Sequence, residues 1–152
     1  MTLFKAKENN NKSKRKTIRT CCTGEVFDLS LVSNSAISSK VLGDGFGVSC
    51  SDSLIVSPGD GIVTDISDNG HTYAIEQEDG VSLLVCITSD SKNEVLDPAV
   101  ETGQHISAGD PLCTKENAEA AVIITNTEIL SYYKIAVGKA KFFTDGVIVY
   151  EL

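Results

Sequence analysis

The chain has 152 residues, 41% hydrophobic and 22% charged, which suits one globular domain with a sizeable core and excludes a disordered or fibrous chain. Two histidines, His71 and His105, exclude a three-histidine zinc centre and any mechanism that needs several imidazoles. The net charge of −8 is lopsided: seven of 13 basic and one of 21 acidic residues lie in the first 19 positions, so Thr20 onward carries six against twenty, a net of −14, which repels nucleic-acid phosphates and suits either a basic partner face or plain solubility.

In chain order, residues 1–16 are polar, basic and rich in Asn and Lys, the composition of a disordered tail. Leu3 and Phe4 are too few to build an amphipathic membrane helix, and weak attraction to anionic lipid is the most such a tail offers. No apolar run reaches ~18 residues, so no transmembrane segment is expected. The N-terminus lacks the apolar stretch of a signal peptide. The expected location is therefore cytoplasmic, with Cys21, Cys22, Cys50, Cys86 and Cys113 as reduced thiols. Their odd number and spacing fit neither a disulfide framework nor a CxxC motif.

From Thr17 onward, short runs rich in Val, Ile, Thr and aromatics alternate with Gly, Asp, Asn and Pro. Strands are predicted at Gly45–Cys50, Leu54–Val56, Gly61–Ile66, His71–Glu76, Val81–Ile87, Gln104–Ile106, Ala121–Thr125 and Val147–Glu151. Asp-Gly recurs at 44–45, 60–61, 79–80 and 145–146, a pair suited to tight hairpin turns. Helical turns are predicted at Asn117–Ala121 and Asn126–Leu130, the second capped by Asn126 or Thr127. Ser57–Val63 and Ser107–Cys113 each set Gly-Asp before an apolar strand, too short a likeness to prove duplication. Residues 17–152 thus read as one all-β domain, an antiparallel distorted sandwich or barrel with short helical turns.

The stretch Gly70–Ser91 reads as two strands around Gln77–Gly80. A two-residue loop at Glu78-Asp79 sets His71 opposite Cys86; a loop at Asp79-Gly80 sets Tyr73 opposite Cys86, with His71 one diagonal step away. In both registers His71 and Cys86 share a face, because side chains alternate with period two; a one-residue bulge would break this. An imidazole beside a thiol can take its proton and make sulfur a nucleophile. Spacing alone favours Cys86 as a small buried hydrophobe between Val85 and Ile87. His71 and Cys86 are two metal-ligating types where zinc wants three or four, so no metal or other cofactor is expected.

Several short motifs stand in a telling order. They are Thr23-Gly24-Glu25-Val26, Lys40–Val48, Ser57-Pro58-Gly59-Asp60-Gly61, Gly103-Gln104, Ala108-Gly109-Asp110 and Val122-Ile123-Ile124-Thr125-Asn126. Together they resemble the glucose-type IIA domain of the bacterial phosphoenolpyruvate-dependent sugar phosphotransferase system, from about Lys16 to Leu152. The resemblance implies an antiparallel β-sandwich in which two histidines face each other in a shallow apolar depression. One of them takes a phosphoryl group from the phosphocarrier HPr and passes it toward the IIB domain of a IIB/IIC sugar permease. His71 matches the supporting histidine, and Cys86 stands where the acceptor histidine does. Ile37, Val41, Leu42, Tyr73, Leu84 and Asp90 fall at the implied partner-binding rim. Thr88 replaces a glycine two residues after the acceptor, and Asn69 a threonine two before the supporting histidine.

Two functional readings follow. In one, the protein is a phosphocarrier of sugar uptake, a phosphotransferase-type activity, with Cys86 as acceptor and His71 as support. In the other, it is a non-phosphorylatable relative that binds and regulates proteins.

Overall fold

The computed structural model describes residues 15–88, 93–141 and 145–152. The strands are β1 (Lys16–Arg19), β2 (Gly24–Asp28), β3 (Asp44–Cys50), β4 (Leu54–Val56), β5 (Gly61–Ile66), β6 (Thr72–Glu76), β7 (Ser82–Ile87), β8 (His105–Ile106), β9 (Pro111–Thr114), β10 (Glu119–Ile124), β11 (Tyr132–Ile135), β12 (Gly138–Ala140) and β13 (Gly146–Glu151). One four-residue helix, α1 (Ser35–Ser38), and two single 3-10 turns, Leu29–Leu31 and Thr127–Ile129, complete the described elements. The antiparallel pairs form an eight-stranded sheet in the order β12-β2-β3-β10-β7-β6-β5-β8, a three-stranded sheet β1-β13-β11 and the pair β4-β9. This is the expected all-β architecture.

The central strands bury both faces. Along β10, Ala120, Val122 and Ile124 enter the main core, while Ala121 and Ile123 enter a second apolar cluster with Leu29, Val32, Ile37 and Cys86. Along β7, Leu83, Val85 and Ile87 face the main core, and Leu84 and Cys86 the second cluster. Period-two alternation produces this split, and the apolar runs of β7 and β10 fit strands covered on both sides. Gly45 in β3 lies so close to the Val122 carbonyl of β10 that an added Cβ would collide with it. That Asp-Gly pair therefore permits close strand approach and is not a hairpin tip; among the four, Asp79-Gly80 sits in a hairpin connection, with Gly80 at φ 97.

A polar network fixes that connection. Asp79 accepts from the Tyr150 hydroxyl at 2.6 Å and pairs with Lys16 at 3.2 Å, tying the turn to β13 and β1. Asn126 accepts from the Ser82 amide and donates to the Gly80 carbonyl, both at 2.9 Å, so its side chain holds the turn and does not cap the 3-10 turn it precedes.

Four expectations are corrected. Arg15 and Lys16, placed in the tail by composition, join the fold: Lys16 opens β1 and Arg15 pairs with Glu151 at 2.7 Å; the remainder of that tail lies outside the described residues. Asn117–Ala121 is not a helical turn: Asn117 turns the chain at φ 54 and Glu119 starts β10. Cys22 and Cys50 form a disulfide with Cα atoms 5.8 Å apart, because β2–β3 pairing sets Gly24 opposite Cys50, while Cys21, Cys86 and Cys113 are buried free thiols. The β6–β7 hairpin adopts neither register read from the sequence. Thr72 stands opposite Cys86 and Tyr73 opposite Val85, because five residues, Gln77–Val81, connect the last paired positions. Gln77 donates to the Val81 carbonyl at 2.9 Å, widening the turn beyond two residues.

Candidate functional site

The site is an open depression of about 780 Å³ against the second cluster, reached from the surface between α1 and the end of the β6–β7 hairpin. Its floor is Leu84 and Cys86 on β7, with Ala121 paired beside Cys86 on β10 and Thr72 on β6. One wall is the short helix: Asn34 accepts from the Ala36 and Ile37 amides at 2.9 and 3.3 Å, the cap that lets four residues hold a helical turn. Ile37 is buried in the cluster beneath, and Leu42, 39% exposed, closes that side. The opposite wall is Ser67, Asn69 and His71, with Ile87 and Thr88 at the end.

His71 and Cys86 do line one depression, although not by the pleat alternation read from the sequence. His71 stands just ahead of β6, after Gly70 at φ 75. Its amide is held by the Ser67 hydroxyl and the Asn69 side-chain carbonyl, both at 3.1 Å. Its ring lies between two carbonyls: Nδ1 lies 3.1 Å from the Ile87 carbonyl and Nε2 3.0 Å from the Glu94 carbonyl. A carbonyl only accepts and a neutral imidazole carries one N–H, so the tautomer decides which of the two contacts is a hydrogen bond; both ring nitrogens lie against backbone carbonyls. The segment after Asn93 is pressed against this corner, with the Leu96 amide donating to the Asn69 carbonyl at 2.8 Å and Gly70 too close to the Leu96 carbonyl to admit a Cβ.

Cys86 is 7% exposed. Burial pushes its thiol up to about 11, against a smaller downward pull from the Thr72 hydroxyl bonded to it. The neutral thiol therefore prevails near pH 7, the small-hydrophobe alternative weighed for this position.

Of the expected rim, Ile37, Leu42 and Leu84 line the depression or its floor, and Val41, 78% exposed, stands beside Leu42. Tyr73 is corrected: it is fully buried in the main core, because the one-residue change of register turns its ring to the other face of the sheet. Asp90 lies outside the described residues. His105 is exposed on β8, at the far edge of the large sheet and away from the depression. The sequence reading missed Thr72, whose hydroxyl touches the thiol, and the Glu94 backbone. The register alone would have revealed Thr72, and no side-chain signal marks a carbonyl.

The family profile described as phosphoenolpyruvate-dependent sugar phosphotransferase system, EIIA 1, matches residues 16–130. The chain is 32% identical over 110 residues to the N-acetylglucosamine-specific EIICBA component of Escherichia coli (strain K12), a match covering 68% of this chain and 17% of that much longer protein. It is 27% identical over 142 residues to the glucose-specific EIIA component of Bacillus cereus, covering 86% of each. Among solved structures, glucose permease IIA from Mycoplasma capricolum superposes with a TM-score of 0.76 at 22% identity, covering 90% of this chain and 96% of that one, which shows the shared fold.

Proposed function

The chain belongs to the glucose-type EIIA family of the phosphoenolpyruvate-dependent sugar phosphotransferase system, and from that premise we propose that it binds proteins of that system through the depression without carrying a phosphoryl group on Cys86. The observation that carries this reading is the His71 ring, both of whose nitrogens lie against backbone carbonyls. Phosphoryl transfer needs an activated in-line nucleophile and donors aimed at the phosphoryl oxygens. Cys86 is a buried neutral thiol, and both nitrogens of His71 lie against backbone carbonyls. What remains is an apolar floor rimmed by Leu42 and Val41 on an acidic body, which fits an apolar partner face with basic margins. The proposed partners are an HPr-like phosphocarrier and IIB or IIC permease domains, and the proposed location is cytoplasmic; among the described residues no helix is long and apolar enough to cross a membrane.

The carrier reading keeps one observation in its favour: Cys86 and His71 line the same solvent-open depression. Intact-mass measurement after incubation with phosphoenolpyruvate, the general phosphotransferase proteins and HPr separates the two. The expected result is no added phosphoryl group under conditions that label a histidine-bearing relative. A phosphoryl adduct that disappears in Cys86→Ser would overturn the binding reading.

A further inference from the structure

Resting on that reading of the depression as a docking site, we propose that the Cys22–Cys50 pair is a thiol–disulfide switch for it: oxidation orders the α1 wall and tightens partner binding, and reduction loosens both. The disulfide closes residues 22–50 into a covalent ring, and that ring holds the whole α1 side of the depression, Ser33, Asn34, Ala36, Ile37 and Leu42. The ring also supplies Leu29, Val32 and Ile37 to the second apolar cluster, whereas Cys86, Ala121 and Ile123 come from β7 and β10, outside it. One wall therefore lies inside the covalent loop, and the floor and the His71 wall lie outside.

The bond joins a weakly held strand to a firmly held one. β2 lies between β3 and β12, and β12 pairs with it over only three residues at the edge of the large sheet. β3 is held on both sides, by β2 and by six paired positions of β10, and the Cys50 amide donates to the Ala118 carbonyl at 2.9 Å. The disulfide sits at the Gly24–Cys50 end of the β2–β3 ladder; from the other end Asp28 leads into the turn Leu29–Leu31. Order passes from β2 to the wall through the Asp28 carboxylate, which accepts from the Ser30 amide at 2.9 Å, and through Phe27 and Val32, so close to Gly47 of β3 that an added Cβ would collide with both. Reduction leaves the ladder, the Ser51 amide bond to the Thr23 carbonyl at 2.8 Å and the Ser33 bond to Glu119 at 2.9 Å in place. The fold then persists, while the ladder is free to fray from its Cys22 end.

The pair is open to exchange from one side, since Cys22 is fully buried and Cys50 is half-buried at the end of β3. Cys21, next in the chain, is fully buried and does not compete as an attacking thiolate. A dithiol reduces the pair in two steps. One thiolate attacks Cys50 Sγ and the Cys22 sulfur leaves; the second thiolate then displaces Cys50 and closes the reductant's own disulfide, so that two electrons and two protons pass to the pair. Oxidised glutathione reverses the outcome: Cys50 displaces one glutathione thiol, Cys22 displaces the other, and the Cys22–Cys50 bond forms. In the proposed cytoplasmic location a disulfide of this kind is a transient, sensing bond and not a permanent staple.

The test uses the full chain. In glutathione buffers from mostly reduced to mostly oxidised, thiol blocking and intact mass are expected to show the pair passing between its two states while circular dichroism stays that of a folded chain. A disulfide that yields only on unfolding overturns the inference. Hydrogen exchange of residues 24–43 is expected to speed about tenfold on reduction while β7 and β10 keep their protection; equal exchange in the two states overturns it. In calorimetric titration with HPr, the reduced chain is expected to bind about tenfold more weakly. Equal or tighter binding by the reduced chain overturns the switch and leaves the docking reading standing. Failure of both states to bind overturns the docking reading, and the exchange measurement still decides whether the pair orders the wall. The double variant Cys22→Ser, Cys50→Ser is expected to match the reduced chain in either buffer; a redox response that persists in it assigns the effect to another thiol and overturns the inference.

Discussion

Iodoacetamide is expected to find Cys86 a slow target whose reactivity keeps climbing far above neutral pH. Burial moves the thiol from an ordinary 9.0 to about 11. At pH 7 that leaves about one thiolate in ten thousand, against about one in a hundred for an ordinary thiol, a deficit of about a hundredfold. A more basic thiolate is also a better nucleophile, and a Brønsted slope of ~0.4–0.5 returns nearly tenfold of this. The net is about tenfold slower alkylation from ionisation alone, and 7% exposure slows it further. The rate should rise about tenfold per pH unit through pH 9 without levelling. Thr72→Val removes the hydroxyl that pulls the thiol downward and should slow the reaction again. The assay is timed alkylation of the native and urea-unfolded chain, followed by peptide mapping to separate Cys86 from Cys21 and Cys113. A rate that levels off between pH 7 and 8, at or above that of the unfolded chain, would refute the neutral-thiol account and restore Cys86 as a nucleophile.

Stability is expected to decline above pH 9. A native thiol pKa raised from 9.0 to about 11 contributes fully below pH 9 and loses its contribution as pH climbs to 11, roughly 3 kcal/mol for Cys86, with Cys21, raised to about 12, acting in the same direction. An unchanged urea midpoint between pH 7 and pH 10.5 would contradict it. Reducing the Cys22–Cys50 disulfide, or replacing both with Ser, frees a span of 28 residues and should cost about 3–4 kcal/mol in chain entropy, read as a lower urea midpoint with and without reductant. Gly45→Ala drives a Cβ into the Val122 carbonyl and should cost about 3 kcal/mol or more, whereas Gly80→Ala meets only the Ile129 side chain at an ordinary contact of 3.8 Å and bears its φ of 97, about 1–2 kcal/mol; a reversal of that order in thermal melts would count against the strand-contact argument.

The strands were legible where apolar runs end at Gly, Asp or Pro, as at β3, β4, β5, β6, β7 and β13. β11 was not: its exposure alternates between open and half-buried, so it carries little apolar contrast. The depression was legible through the motifs around His71 and Cys86, but its internal geometry was not. A turn of five residues rather than two shifts the hairpin register by one, and that single step exchanges Tyr73 for Thr72 beside Cys86. The disulfide depends on the β2–β3 register across 28 residues, which no local spacing encodes. The pinning of His71 depends on a backbone carbonyl 23 residues away, brought there by the Leu96–Asn69 hydrogen bond.

The two faces of β7 divide the work of packing from that of lining the depression. Leu83, Val85 and Ile87 hold β7 in the main core together with β10, and none of them touches the depression side except Ile87 at its edge. Cys86 belongs instead to the smaller cluster with Ala121, Ile123 and Ile37. A thiol is small and apolar enough to join that cluster, so burial there stabilises the floor while raising the thiol pKa. The same contact that makes Cys86 a sound packing residue thus makes it a poor nucleophile. The His71 ring lies between the Ile87 and Glu94 carbonyls, and those two contacts fix the wall of the depression. A rigid apolar floor and a rigid polar wall suit the proposed docking role, because a preorganised surface loses little freedom on binding.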